Sequence, residues 1–130
     1  MSELTDKAAA LRTLFEAHAG ETDTLRRLPD ANVTAIKDAG LCRLRVPKRF
    51  GGHETNIHTY IEVMEELGRG CGSTSWVASL INVCAWLTSL FPDQAQQDVW
   101  GTNRAAWVAK RSAVSSSAWP RPEPCSAGCT

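Results

Sequence analysis

The sequence predicts an all-α protein: an orthogonal or up-down domain of about five helices around a central apolar helix, with an irregular C-terminal tail. Apolar residues recur at three- and four-residue spacing through most of the chain. Residues 73–91 contain no charged side chain, and the residues after Val108 show no sustained helix or strand period. We therefore expect a helical domain over residues 1–101 and a tail over residues 102–130.

The first predicted helix covers residues 2–19. Its largely apolar face consists of Leu4, Ala8, Leu11, Leu14, Phe15 and His18. Ser2 can cap its start, and Gly20 either ends the helix or only weakens it. The polar residues 21–28 are either a continuation or a second short helix.

The next helix, Pro29 to Ala39, has signals at both ends. The fixed φ of Pro29 suits a first turn, and Asp30 complements the helix dipole there. Gly40 is placed as the residue that closes the helix in a left-handed conformation.

A non-helical connector follows over residues 42–54. Pro47 favours extended backbone before it, and the pair Gly51 and Gly52 permits turns. The connector also holds a local basic cluster, made of Arg43, Arg45, Lys48 and Arg49. Two interpretations stay open: a solvated connector, or a loop that approaches an anionic ligand or a neighbouring subunit.

Two further helices lead into the tail. Asn56 is a plausible N-cap for a helix that runs to Leu67, where Gly68 and Gly70 should break it. Ser73 is the simplest N-cap for the central helix of residues 73–91. A helix that is apolar on all sides is either buried or in a membrane. Its short length and its hydroxyl residues favour burial beneath the other helices. A short polar helix then ends at Trp100.

Composition excludes several classes of protein. The net charge is +0, without the basic stripe of a nucleic-acid-binding protein. The polar N-terminus carries no signal segment, so a cytoplasmic location and no membrane partner are expected. The five cysteines should be free thiols. No ligand spacing predicts a metal site, and His53 and His58 are expected to be exposed.

Three stretches together resemble a known family. They are Leu25 to Gly52 with its Pro29, Gly40 and double-glycine positions, Glu65 to Trp76, and Phe91 to Trp100. Over roughly residues 8–101 the chain resembles the N-terminal helical domain of the acyl-CoA dehydrogenase superfamily. Within it, the closer resemblance is to two-component flavin-dependent monooxygenases, which hydroxylate aromatic or polyketide substrates.

The resemblance implies an oxidoreductase with a middle β-domain and a C-terminal helical bundle, which hold FAD or FMN between them in a homotetramer. In the monooxygenase branch a separate flavin reductase supplies reduced flavin, and O2 is used to hydroxylate a small-molecule substrate. One alternative is an acyl-CoA dehydrogenase proper. Another is a non-catalytic helical interaction or oligomerisation module. This chain by itself is expected to be inactive.

Site residues are proposed only from this resemblance. Many ring hydroxylases of the group carry a His-Asn-Trp run in the central helix, and here the matching run is Cys84, Ala85 and Trp86. Cys84 at the histidine position is a weak catalytic candidate, with a small buried thiol as the alternative. The substrate-pocket candidates are Trp76, Asn82, Cys84 and Trp86. The two tryptophans could instead be core residues, and the Asn82 amide could instead bond nearby backbone. No cofactor-binding residue is identified.

The composition changes abruptly after Gly101. Three consecutive serines, Ser115 to Ser117, and prolines at 120, 122 and 124 interrupt any regular period. We interpret residues 102–130 as a truncated or frameshifted start of the β-domain. A helical domain without that β-domain should leave part of the central helix uncovered.

Overall fold

Helices form all the regular secondary structure in the described residues, 2–104, 106 and 107, of the computed structural model. Seven α-helices and two 3₁₀ turns follow one another within that part of the chain. The helices are α1 Glu3–Ala10, α2 Arg12–Ala17, α3 Ala19–Leu25, α4 Asp30–Asp38, α5 Ile57–Gly70, α6 Gly72–Ser89 and α7 Asp93–Trp100, and the turns are Leu41–Arg43 and Lys48–Phe50. The all-α prediction is confirmed, whereas most of the predicted tail lies outside the described residues.

The predicted first helix is divided into α1, α2 and α3. The Ser2 cap is confirmed, because the N–H of Thr5 donates to its hydroxyl oxygen at 3.3 Å. The chain bends at Leu11, where ψ is −7°, and again at His18, where ψ is 3°. Gly20 does not end a helix but lies inside α3, which closes at Arg26 with a φ of 51°. These two bends explain why more helices form than the sequence predicted.

Both ends of α4 were predicted correctly. Pro29 precedes its first residue, and Gly40 takes the left-handed conformation with a φ of 75° just beyond its end. The Asn56 cap of α5 is also confirmed, since its side chain accepts from the N–H of Thr59 at 2.8 Å.

Helices α5 and α6 form an antiparallel hairpin at the centre of the fold. The hydroxyl of Ser75 donates to the carbonyl of Met64 at 2.7 Å, and the hydroxyls of Tyr60 and Ser79 lie 2.6 Å apart. Helices α1 and α2 pack across α5. The core between these helices is built from Phe15, Ile36, Leu41, Leu44, Val63, Leu67, Ala78 and Ile81, together with smaller buried residues.

The sequence predicted that Gly68 and Gly70 break helix α5. This prediction is wrong, because both glycines lie inside the helix. A Cβ on Gly70 would lie 3.0 Å from the carbonyl oxygen of Arg12 and 3.1 Å from the Cβ of Phe15. Gly70 is therefore a close-packing position for α2. The predicted Ser73 cap is wrong as well, because Cys71 is the extended residue that precedes α6 and Ser73 lies inside the helix.

The predicted central apolar helix is α6. One face is buried, with Thr74, Ala78, Ile81, Asn82, Ala85 and Thr88 pointing inward. The opposite face is open, and Trp76 and Leu90 are each 65% exposed. The expectation of an uncovered surface is confirmed for the described residues. In that part of the chain, no helix is both long and apolar enough to span a bilayer.

A second small core lies beneath the end of α6. Phe50 from the connector and Trp100 from α7 pack with ring centroids 5.4 Å apart. Val46 and Ala85 complete this cluster. It ties the connector to α7 at the C-terminal end of the buried face of α6.

Replacement of Gly70 by alanine should destabilise the protein by about 1–2 kcal/mol, because the new methyl group overpacks the α2–α5 contact. The matched control is Gly20→Ala, which also falls in a helix but meets no atom within 4 Å. That control should leave stability unchanged or raise it by up to about 1 kcal/mol. Urea unfolding followed by circular dichroism measures both. Equal effects of the two substitutions would contradict the close-packing role.

Candidate functional site

Asn82 lies at the centre of the candidate site and is fully buried, with 0% exposure. Its Oδ1 accepts hydrogen bonds from the backbone N–H groups of Leu44 at 2.8 Å and Arg45 at 3.3 Å. Its Nδ2 donates to the carbonyl oxygens of Leu41 at 2.8 Å and Ala78 at 2.9 Å. These bonds use both donors and both acceptors of the amide. The sequence left two alternatives for Asn82, a place in the substrate pocket or a bond to nearby backbone. The structure shows the bond to backbone.

Backbone hydrogen bonds within the connector reinforce this attachment. The N–H of Thr55 donates to the carbonyl of Leu44 at 2.8 Å, and that of Glu54 donates to Val46 at 3.1 Å. A Cβ on Gly52 would lie only 2.1 Å from the Val46 carbonyl oxygen, so this close approach requires glycine. The connector is an ordered loop fixed against α6.

The double-glycine turn has no free N–H groups for a phosphate. The Gly51 N–H donates to the carbonyl of Lys48 at 2.8 Å, and the Gly52 N–H donates to that of Pro47 at 3.2 Å. A phosphate cradle needs several backbone N–H groups aimed at one point. The double-glycine turn therefore offers no phosphate cradle.

The arginines of the basic cluster bind within the fold. Arg43 donates to the carbonyl of Phe50 at 2.6 Å, and Arg45 donates to the carbonyl of Thr55. Arg49 pairs with Asp93 and donates to Gln96 at 2.7 Å. The side chains of these three arginines are thus neither fully solvated nor free of partners. They hold the connector in shape.

An apolar groove opens between α5 and α6 beside Arg45. The guanidinium carbon of Arg45 lies 5.9 Å from the centroid of the Trp86 ring. The groove has a volume of about 290 Å³, and its lining residues are Arg45, Ile57, Tyr60, Val83 and Trp86. On the other side of the Arg45–Trp86 pair is a more polar cavity of about 370 Å³, which extends to Ser89 and Gln96. Trp86 therefore separates two cavities.

The four predicted pocket residues are not brought together. Trp76 lines a separate cavity of about 490 Å³ near Arg26 and Arg27. Cys84 is half-buried and lines none of these three cavities. Both tryptophans are exposed, Trp76 by 65% and Trp86 by 41%, so neither belongs to the core of the described part of the chain. Of the four predicted residues, only Trp86 lines the groove. Arg45 and Tyr60 also line it, and the sequence analysis had not named either of them as a site residue.

Two of the described cysteines have shifted pKa values. Burial raises the pKa of the Cys42 thiol to about 11. Burial also acts to raise the pKa of Cys71, but hydrogen bonding from Thr74, Ser73 and Thr22 outweighs it and the pKa falls below the ordinary value. His53 and His58 are exposed, as predicted. Within residues 2–104, 106 and 107, no three His, Cys, Asp or Glu side chains converge as metal ligands. Cys125 and Cys129 lie outside that range.

Replacement of Asn82 by alanine should destabilise the chain by about 2–4 kcal/mol, because it leaves buried N–H and carbonyl groups of the connector without partners. Cys84→Ala is the matched control on the same helix, and it should cost less than about 1 kcal/mol. Chemical unfolding measures both. An Asn82→Ala protein as stable as the control would show that the connector does not depend on this amide.

Comparison with known proteins identifies the family. Residues 5–106 match the family model described as acyl-CoA dehydrogenase, N-terminal domain. The chain is 41% identical over 95 residues to the flavin-dependent monooxygenase oxygenase subunit HsaA of Rhodococcus jostii, an alignment that covers 73% of this chain and 25% of that protein. It is 35% identical over 100 residues to the FADH2-dependent resorcinol hydroxylase oxygenase component of a Rhizobium species, covering 77% and 24%.

Solved structures agree with these relatives. The 3-HSA hydroxylase from Rhodococcus superimposes with a TM-score of 0.76 at 36% identity, covering 80% of this chain and 27% of that one. XiaF from Streptomyces, solved in complex with FADH2 and glycerol, gives a TM-score of 0.76 at 37% identity, covering 81% and 26%. The chain spans about a quarter of the length of these proteins. It belongs to the acyl-CoA dehydrogenase N-terminal domain family, and the two relatives matched by sequence, HsaA and the resorcinol hydroxylase, are oxygenase components of flavin-dependent enzymes.

Proposed function

We propose that residues 5–106 serve as the N-terminal domain of a flavin-dependent monooxygenase, in which they form one wall of the aromatic substrate site. The groove between α5 and α6 carries this proposal, because it combines an exposed indole, apolar walls and a positioned guanidinium. The relatives favour monooxygenation over the dehydrogenation of acyl-CoA thioesters. Two of them name FADH2, which favours FAD over FMN.

The groove suits a planar ring with a negative or electron-rich substituent. Trp86 and Tyr60 offer flat apolar surface, on which an aromatic ring can stack. Arg45 is held at the rim by the Thr55 carbonyl, so its charge is already positioned when a ligand arrives. A guanidinium both stacks on aromatic rings and binds oxyanions such as a phenolate or a carboxylate.

Cys84 is a poor substitute for the histidine that the resemblance places there. A neutral thiol accepts a proton less readily than imidazole does. We propose that Cys84 contributes packing, and that the group which deprotonates or holds the substrate hydroxyl comes from outside the described residues. Asn82 acts on the site indirectly, because it fixes the backbone that carries Arg45.

The remaining components of the activity are proposed from the family. When bound, reduced flavin supplies the electrons that activate O2, and a separate reductase would regenerate it. A homotetramer in the cytoplasm is the expected assembly. This chain alone is proposed to be inactive, because its double-glycine turn offers no phosphate cradle for a flavin nucleotide.

A graft tests the proposed function. Residues 5–106 would replace the matching N-terminal part of the Rhodococcus jostii HsaA oxygenase subunit, and the hybrid would be assayed for reduced-flavin binding and for O2-dependent hydroxylation. We expect the hybrid to bind reduced flavin and to hydroxylate the substrate. We also expect Trp86→Ala in the hybrid to raise KM for the aromatic substrate by about tenfold, since stacking on an aromatic side chain contributes on the order of 1 kcal/mol or more.

The control in the hybrid is Leu25→Ala, which alters a side chain of 43% exposure that lines none of the three cavities. It should leave KM unchanged. A folded hybrid that binds reduced flavin but forms no hydroxylated product would contradict the proposed function. Normal KM in the Trp86→Ala hybrid would contradict only the role assigned to the groove.

A further inference from the structure

The apolar groove and the polar cavity beside it share two lining residues, Arg45 and Trp86. The guanidinium carbon of Arg45 lies 5.9 Å from the centroid of the Trp86 ring, and the same guanidinium donates to the carbonyl of Thr55. These contacts fix the Arg45 charge at the boundary between the two cavities. A ligand that lies on the exposed indole of Trp86 is therefore within reach of both cavities.

The two cavities differ in chemical character. The groove is lined by Ile57, Val83 and the rings of Tyr60 and Trp86, and the Tyr60 hydroxyl is already engaged 2.6 Å from the hydroxyl of Ser79. The polar cavity is lined instead by hydrogen-bonding side chains, among them Arg49, Glu54, Ser89 and Gln96. A ligand that fills both cavities should have an apolar ring at one end and a hydrogen-bonding group at the other.

The polar cavity still has hydrogen-bonding groups to offer a ligand. One carboxylate oxygen of Glu54 accepts the N–H of Lys48 at 2.8 Å, and the other has no partner within the described part of the chain. A guanidinium carries five N–H donors, and Arg49 donates to Asp93 and, at 2.7 Å, to Gln96. A ligand hydroxyl can donate to the free Glu54 oxygen and accept from a remaining N–H of Arg49.

The charges around the polar cavity are balanced. Arg49 is paired with Asp93, and the carboxylate of Glu54 lines the same cavity as the guanidinium of Arg45. An anionic group in this cavity would meet the Glu54 carboxylate, and any charge that is removed from water without a partner costs more free energy than a hydroxyl does. The balance of charge therefore favours an uncharged polar group over a carboxylate.

We propose that this site accepts a phenol that carries a short, uncharged, hydrogen-bonding arm, such as a hydroxyalkyl group. The ring lies on Trp86 in the groove, the phenol oxygen binds Arg45, and the arm enters the polar cavity. Glu54 is then a specificity-determining residue, because its carboxylate repels an anionic arm and accepts a bond from a hydroxyl. The inference rests on the proposed function, since it names the substrate class of the same site.

NMR titration of the full 130-residue chain with three phenols of similar shape tests the proposal. The probes are meta-butylphenol, meta-hydroxypropylphenol and meta-hydroxyphenylpropanoate. The indole N–H of Trp86 reports on the ring, and the side-chain amide of Gln96 reports on the arm. All three probes should shift the indole signal, and the alcohol should shift the Gln96 amide most.

The alcohol should also bind with a Kd about threefold lower than that of the butyl compound, which is the effect of about one net hydrogen bond. A site without a polar cavity would give the opposite order, because a butyl arm removes more apolar surface from water. Tighter binding of the butyl compound, or a Gln96 amide that none of the probes shifts, would overturn the inference and leave the groove in place. An indole signal of Trp86 that none of the probes shifts would overturn both the inference and the role proposed for the groove.

Glu54→Gln tests the selectivity against an anionic arm, because it removes the carboxylate and keeps the shape of the side chain. It should lower the Kd of the propanoate by about threefold or more and leave the Kd of the butyl compound unchanged. Glu65→Gln is the matched control, since Glu65 is also an exposed glutamate but lines none of the three cavities, and it should change no Kd. A propanoate that binds both variants equally would overturn the role of Glu54. The hydroxylation assay of the hybrid reports on the proposed function separately.

Discussion

The amide of Asn82 is the interaction on which the rest of this structure depends. It joins the connector, at Leu44 and Arg45, and the preceding residue Leu41 to the middle of α6. Loops normally run over the surface because buried backbone polar groups need partners, and here one side chain supplies those partners. The connector can therefore lie against an apolar helix, which brings Arg45 beside Trp86 and Phe50 against Trp100.

Helix α6 consequently has one buried face and one exposed face. Its inner face combines apolar packing with buried polar bonds. Besides Asn82, Thr74 accepts a bond from Asn32 at 3.2 Å, and Asn32 in turn lies 2.9 Å from the ring nitrogen of His18. These bonds require specific partners and fix how the helices pack. The outer face has no such requirement, and it carries the groove at Trp86.

The sequence was sufficient wherever the signal is local. The ends of α4 and the Asn56 cap depend on residues a few positions apart, and each was predicted correctly. Gly70 was taken for a helix break because its role depends on contact with Arg12 and Phe15, which are distant in sequence. The site residues were likewise predictable only where the signal is local. Trp86 was found through the resemblance, but Arg45 was seen only as one charge in a cluster, since its position over the indole is created by the Asn82 bonds.

Hydrogen exchange of the Leu44 and Arg45 amides, measured by NMR on the intact chain, tests the central role of Asn82 most directly. Neither amide belongs to an α-helix, and in an ordinary loop both would exchange rapidly. If the Asn82 amide holds the connector, the Leu44 N–H should exchange as slowly as core amides of α6 such as that of Ile81, and the Arg45 N–H nearly as slowly. Exchange of both at the rates of an open loop, while α6 stays protected, would contradict the account.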